Sequence, residues 1–246
     1  MATGPAVRAV LFDFYGTLGE STWDQAWLPG VLDARGLHLD PAVSRRWHSD
    51  AWDGREHAEH SLDEATYNTW SRARLRSMLS ELGAVEGDLD DLVAEIEHRQ
   101  RAFTVRPYAE VRSVLGELRA RGLRLAVCSN WDWDLDTHLA ACGVADLVDA
   151  RVSSAWVGAR KPHRRVFEAA LDAVGATADE SVFVGDNWVA DVEGAAAVGM
   201  RPVHVWRHDQ HPGDWLPEPP PVLHGSANGV ARIPDLRGLL PLVGSG

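Results

Sequence analysis

The sequence predicts an α/β fold: a parallel sheet with helices on both faces, interrupted by an all-helical insertion after the first strand. Short apolar runs at residues 7–12, 123–128, 182–185 and 203–206 alternate with stretches of helical periodicity, the pattern of parallel strands joined by crossover helices. Between the first two runs, residues 20–104 keep a helical pattern with no convincing strand, so they read as an insertion. The runs also end in polar residues that a strand does not need. In an open parallel sheet such ends face the ligand crevice.

A chain of 246 residues accommodates one large domain or a core domain with an insertion. Hydrophobic residues at 45% and charged residues at 24% suit a soluble globular protein. A formal net charge of -12 argues against broad binding to nucleic acid or to an anionic membrane, since both demand basic surface. A small anionic substrate then needs locally concentrated positive charge, from a metal or a lysine. Cys128 and Cys142 have no metal-ligand spacing, so a reduced, cytoplasmic protein is expected. Arg8 precedes an apolar run that Asp13 cuts short, too brief for a signal peptide. No stretch reaches the ~20 apolar residues of a membrane span. The sequence sets no oligomeric state.

Taken in order, residues 7–12 form the first strand. Ser21 and Thr22 are helix-start residues, and Trp23, Trp27 and Val31 follow at helical spacing. Leu75, Met78, Leu79 and Leu82 mark one apolar face, and Leu92, Val93, Ile96 and Phe103 another. His48, His57 and His60 lack the i, i+4 pairing of metal ligands and are expected at the surface. Pro107 marks the return to the sheet. Val111, Val114, Leu115 and Leu118 give an amphipathic helix that Gly122 ends, before the strand at 123–128. Ser129-Asn130 leads into a helix through Leu139. A short segment follows near 148–153, and Lys161-Pro162 opens a helix carrying Val166, Phe167, Ala170 and Leu171. Residues 182–185 form a strand, 186–198 a helix and 203–206 another strand. The stretch 207–228 is rich in Pro, Gly and His and reads as irregular. Residues 229–233 suggest an edge strand and 236–243 a closing helix.

Chemistry concentrates at the strand ends. Asp13 is either a nucleophile, which would split one difficult displacement into two easier ones, or a solvated turn carboxylate. Thr17 and Ser129 offer hydroxyls. Ser129-Asn130 precedes a helix, whose free N–H groups favour an anion, but the same residues also suit plain capping. Lys161, in Gly158-Ala159-Arg160-Lys161-Pro162, could neutralise both a carboxylate and an incoming phosphate, or be a solvated helix-start lysine; Arg160 is the less favoured stand-in. Asp186, in Gly185-Asp186-Asn187, and Asp191 are spaced to face one hard cation, or to decorate a helix N-terminus.

Asp13, Ser129, Lys161 and Asp186 with Asp191, in that order and with a helical insertion between the first two, resemble the motifs of the haloacid dehalogenase (HAD) superfamily. Its members are mostly Mg2+-dependent phosphohydrolases with a Rossmann-like core and a helical cap. The resemblance covers roughly residues 7–18 and 106–206, and four motifs in order are more specific than any one. It implies a core of residues 1–19 and 105–246 with a cap at 20–104. It implies Asp13 as nucleophile, with Thr17, Ser129, Asn130 and Lys161 around the transferring phosphoryl group of a small phosphorylated substrate. It also implies a Mg2+ site from Asp13, the backbone carbonyl of Tyr15, Asp186 and Asp191, the last acting directly or through water.

Tyr15 departs from this pattern. Most phosphatases of the family carry a second Asp two residues after the nucleophile, which protonates the leaving oxygen and then activates water. A phenol, with a reference pKa of about 10, is a poor base at neutral pH. The chain is therefore expected to be a weak phosphatase, to use a leaving group that needs little protonation, or to borrow an acid from cap or substrate. The loss also argues against phosphomutase chemistry. Haloacid dehalogenases have a Tyr-Gly-Thr turn here, which makes a metal-independent 2-haloacid dehalogenase the first alternative. Such enzymes lack the Gly-Asp pair of the fourth motif and carry a functional Tyr where this chain has Phe167. They also need a cap arginine for the halide, for which Arg35, Arg45 and Arg46 are available. The retained acidic pair favours phosphoryl transfer. A binding protein without turnover is the other alternative. Of the 11 tryptophans, Trp131 and Trp133 follow the second motif, Trp156 precedes the third and Trp188 follows the fourth, while Trp23, Trp27, Trp47, Trp52 and Trp70 lie in the insertion. They either stack on a substrate, with Trp131 and Trp188 as contacts, or pack cap against core.

Overall fold

The computed structural model describes residues 6–21, 27–47, 53–207, 220–221 and 225–244. A seven-stranded sheet runs through the molecule, comprising β1 (Ala9–Phe12), β4 (Arg124–Ser129), β5 (Ala150–Ser153), β6 (Ser181–Gly185), β7 (Arg201–Val205), β8 (Ser226–Ala227) and β9 (Val230–Ile233). Their order is β5-β4-β1-β6-β7-β9-β8, parallel throughout except where β8 turns back on β9. β1 is an inner strand, third from the β5 edge, in register with Arg124 to Val127 on one side and Ser181 to Val184 on the other. Chain order reverses direction at β1, which places a crevice beyond the carboxyl ends of β1, β4 and β6.

Both faces of this sheet are covered, which is why its strands read as continuous apolar runs. Alternation sorts them. Val10, Phe12, Leu125, Val127, Val182 and Val184 pack with Val111, Val114, Leu115 and Leu118 of α5 (Val111–Ala120) and Leu135 and Leu139 of α6 (Leu135–Ala141). Ala9, Leu11, Ala126, Cys128 and Phe183 face the other way, onto Val166, Phe167, Ala170, Leu171 and Val174 of α8 (Arg164–Val174).

The helical excursion is framed by strands that the sequence did not predict. β2 (Gly19–Ser21) and β3 (Val105–Pro107) form an antiparallel ribbon with Ser21 opposite Val105. Ser21, expected to start a helix, is thus a strand residue; three-residue strands are too short to show a period of two. Thr22, Trp23, His48 and Trp52 lie outside the described residues. Between the ribbon strands come α1 (Trp27–Asp33), α2 (Pro41–Arg45), α3 (Glu64–Glu81) and α4 (Glu86–Gln100). They share a cluster of Val31, Leu32, Met78, Leu79, Leu89, Leu92, Val93 and Ile96. Trp27 and Trp47 pack on its edge.

His57 is not at the surface as expected. It is 4% exposed, with its ring 5.0 Å from Trp70 and 6.2 Å from Tyr67. Burial, with Arg160 nearby, pushes its imidazole down to about 4. The segment around it docks on the sheet side: His57 N–H donates to the Gly158 carbonyl (2.7 Å), and Arg160 pairs with Asp53 (2.6 Å).

Three further expectations shift. The helix after β4 begins only at Leu135, following Asp134, so Ser129 and Asn130 do not cap it. Residues 186–198 divide into a wide π-type turn, Trp188–Glu193, and α9 (Gly194–Ala197). The closing helix shrinks to a 3₁₀ turn, Leu236–Leu239, and β8 rather than β9 forms the sheet edge. A short helix, α7 (Ser154–Val157), follows β5. Among the described residues, no helix is long and apolar enough to cross a membrane.

Candidate active site

The loop after β1 sets the position of Asp13. Leu18 and Gly19 N–H groups both return to the Phe14 carbonyl (2.8 and 3.2 Å), and Gly16 N–H donates to Gly19 (2.8 Å). This tight turn leaves Asp13 and Thr17 buried at the crevice floor. Gly16 has φ +83°, and a Cβ there would stand 2.1 Å from Asp186 Oδ2. Gly185, at the end of β6, would place a Cβ 2.3 Å from the Asp191 carboxyl carbon. The two carboxylates approach this closely because both backbones lack side chains.

Lys161 bridges the acids. Its Nζ donates to Asp13 Oδ1 (2.7 Å) and Asp191 Oδ1 (2.6 Å), and the side chain is 1% exposed. Ser129 Oγ adds a donor to Asp13 Oδ1 (2.9 Å), while Thr17 Oγ1 reaches Asp186 Oδ1 at 3.4 Å. Lys161 does not open a helix. The following Pro162 keeps it out of helical conformation, α8 starts at Arg164 behind the capping residue His163, and the lysine enters the crevice from a loop. Asn130 fixes that loop. Its Oδ1 accepts from Lys161 N–H (2.7 Å) and its Nδ2 donates to the Lys161 carbonyl (3.0 Å). The Asn130 side chain thus spends its carbonyl oxygen and one of its two N–H donors on the lysine backbone, which makes it a brace for that loop.

Electrostatics single out the acidic cluster. Asp13, Asp186 and Asp191 each bring a carboxylate oxygen within 4.8 Å of the others. Burial, then Asp13 and Asp191, hold Asp186 well above the usual carboxylate range. Burial pushes Asp191 up to about 6, and Asp13 adds to this against the pull of Lys161. Burial disfavours the Lys161 charge, but Asp13 and Asp191 outweigh it and raise its pKa. With all three carboxylates ionised, as metal ligation requires, one ammonium would leave two negative charges uncompensated in a buried site, and the raised Asp186 and Asp191 are the mark of that excess. An all-oxygen donor set with that excess fits a hard divalent cation.

The aromatic residues divide. Trp131 is half-buried, 5.1 Å from Phe14, 6.2 Å from Phe103 and 5.1 Å from His138, and its indole N–H donates to Asp134 (3.1 Å). Tyr15 leans on Phe103 at 6.0 Å. Trp188, expected as a substrate contact, is buried among Val192, Ala227 and Val230, and its N–H donates to Glu193 (2.9 Å). The wide turn after Asn187 carries its ring behind the crevice wall. Trp156 N–H donates to the Trp133 carbonyl (3.0 Å), which commits it to packing.

Sequence reasoning missed Glu110 and Arg207. This buried pair (2.7 Å) holds the Thr17 carbonyl through Arg207 Nη2 (3.0 Å), and the guanidinium lies 3.6 Å from the Tyr108 ring centre. Burial of both charges was the only signal, and it exists only after folding.

Comparison with known proteins agrees with this geometry. The model of the haloacid dehalogenase-like hydrolase family matches residues 7–199. The chain is 31% identical to phosphatase MT3486 of Mycobacterium tuberculosis over 212 residues, covering 83% of this chain and 90% of that one. It is 36% identical to a phosphoserine phosphatase of Thermus thermophilus over 163 residues, 66% of this chain and 60% of that one. An L-2-haloacid dehalogenase of Xanthobacter autotrophicus superposes with a TM-score of 0.59 at 25% identity, covering 96% of this chain and 98% of that one. With a match that runs from β1 past α9 and takes in all four strand-end motifs, the chain belongs to the haloacid dehalogenase-like hydrolases.

Proposed function

We propose that the chain is a Mg2+-dependent phosphatase acting on a small phosphorylated metabolite through a phosphoryl group carried on Asp13, with residues 20–104 as its cap. The observation that supports this most is the clustered trio Asp13, Asp186 and Asp191 beside Lys161. Relatives named as phosphatases point the same way.

Asp13 Oδ1 already accepts from Lys161 and Ser129, while Oδ2 has no hydrogen bond among the described residues. Oδ2 is thus the attacking oxygen. It forms the new O–P bond as the bond to the leaving oxygen breaks, and water then releases phosphate and regenerates the carboxylate. Lys161, 2.7 Å from Asp13 Oδ1, carries positive charge toward the phosphoryl oxygens. Asp13, Asp186 and Asp191, with the Tyr15 carbonyl, would hold Mg2+, which when bound supplies charge neutralisation for the transferring group. Thr17 and Ser129 line the same floor, and Trp131 with Tyr15 and Phe103 forms an aromatic wall for the substrate's remainder.

With Tyr15 at the second position, the leaving oxygen departs without help from the usual acid. Acyl phosphates, phosphoanhydrides and aryl esters suit such a site better than alkyl esters. Dehalogenation is not favoured. Arg35 pairs with Glu95 (2.5 Å), Arg46 pairs with Glu81, Arg45 is exposed, and Phe167 is sealed against Phe183 at 5.1 Å. Phosphate release from p-nitrophenyl phosphate and acetyl phosphate, with Asp13→Asn as the blank, is expected to stop on EDTA treatment and return with Mg2+. Halide release from 2-chloropropionate that persists in EDTA would overturn the assignment.

A further inference from the structure

A polar chain from β7 and β9 ends on the backbone of Asp186. His204 of β7 is fully buried, and its Nε2 lies 2.9 Å from the Asp186 carbonyl. Its Nδ1 lies 2.7 Å from Arg232 Nε on β9. A carbonyl only accepts and a guanidinium only donates, so the two neighbours dictate the tautomer: Nε2 carries the hydrogen and Nδ1 the lone pair. The Trp188 ring stands edge-on to His204 at 5.4 Å, and the Arg232 guanidinium lies 5.7 Å from its centre. Trp188 therefore walls in the imidazole from the turn that follows Asp186. β7 and β9 hold the two polar residues side by side through the pairing of His204 with Arg232 in parallel register.

We propose that His204, oriented by Arg232 and enclosed by Trp188, is a positioning residue for the cation site. It pins the Asp186 carbonyl backward so that the carboxylate is presented forward to Asp13 and Asp191. Carboxylates that ligate a metal depend on such partners for their aim, and losing one typically weakens binding by about 10- to 100-fold. Thr17 alone, at 3.4 Å, is a weak constraint on the Asp186 side chain. Gly185 and Gly16 remove bulk around the acids without orienting them. The backbone anchor at His204 supplies that orientation. Both His204 and Arg232 lie beyond residues 7–199, the stretch the family model matches, so the C-terminal strands contribute to the site as well as to the sheet.

This inference rests on the cation site proposed above, and its test separates the two. Metal-free protein is titrated with Mn2+, followed by electron paramagnetic resonance of the free ion, and with Mg2+ by calorimetry. His204→Leu is expected to weaken both affinities by about 10-fold or more. His204→Gln, which restores an N–H near the Nε2 position, is expected to stay within about 3-fold of wild type. Arg232→Met, which frees the tautomer, is expected to weaken binding as His204→Leu does and carries the test if His204→Leu does not fold. Leu239→Ala, a core change away from the site, lowers stability and serves as control with unchanged affinity. Wild-type affinity in both His204→Leu and Arg232→Met, or equal loss in Leu239→Ala, overturns the positioning role while leaving the cation site standing. Absence of binding by the wild type overturns both.

Discussion

Asp13 has two carboxylate oxygens in unlike surroundings, one loaded with donors from Lys161 and Ser129 and one with no hydrogen bond among the described residues. In the proposed mechanism that asymmetry selects the attacking oxygen, and Tyr15, two positions on, is the sharpest local variable. Replacing Tyr15 with Asp supplies the general acid that the site lacks. Such groups contribute about 100-fold or more, so kcat on an alkyl phosphate is expected to rise by that order while acetyl phosphate changes little. The accompanying loss of the Phe103 contact lowers the melting temperature. Steady-state rates on the two substrates decide it, and equal response of both would count against a missing acid. That Asp13, Asp186, Asp191 and Lys161 come together was legible from their order along the chain: Asp13 and Asp186 directly follow apolar strands, while Lys161 and Asp191 reach the cluster from a loop and a turn. Asn130 and Trp188 were not, since their side-chain directions depend on Lys161's loop and on a turn wider than an α-helix.

Elements meet at the Glu110–Arg207 pair. Arg207 follows β7, Glu110 precedes α5, and the Thr17 carbonyl belongs to the loop after β1. Leu236 N–H also reaches Glu110, at 3.4 Å, and brings in the C-terminal turn. Arg207→Met leaves a buried carboxylate without its partner, a loss of about 3–5 kcal/mol. The double change with Glu110→Gln is expected to recover at least half of it. Urea unfolding of the single and double variants measures this, and additive losses would show that the pair does not act as a unit. The long elements were readable from their periodicity: α5, α8 and the strands β1, β4 and β6 all fell within a few residues of the sequence reading. β2, β3 and the turn at Trp188–Glu193 were not, because three residues carry no period and a π-type turn differs from α by one hydrogen-bond step.

Across the whole molecule, His57 reports on the docking of the helical excursion against the sheet side. Its imidazole is held neutral, with its pKa down at about 4 against an unfolded value near 6.5. A base depressed on folding contributes stability that is complete above the unfolded pKa and is lost as pH falls through the window to the folded one. Wild type is therefore expected to lose about 1–3 kcal/mol more than His57→Phe between pH 7 and pH 4, compared in EDTA so that the acidic cluster contributes equally to both. Parallel acid limbs in chemical denaturation would sink the idea. The sequence showed that a helical block interrupts the sheet, yet not how it is seated. His57 looks like any polar residue until Tyr67 and Trp70 close over it. The joint through which that block leaves the sheet has one more consequence. Ser21 and Val105 stand opposite each other in a hydrogen-bonded ribbon, so 83 intervening residues begin and end at a single point in space. Lengthening such a detour raises its closure entropy only with the logarithm of its length. On the proposed reading the excursion is a replaceable module: trading it for another at that hairpin-like splice is expected to retune selectivity, read as relative kcat/KM across substrates, while the reaction proposed at Asp13 is retained.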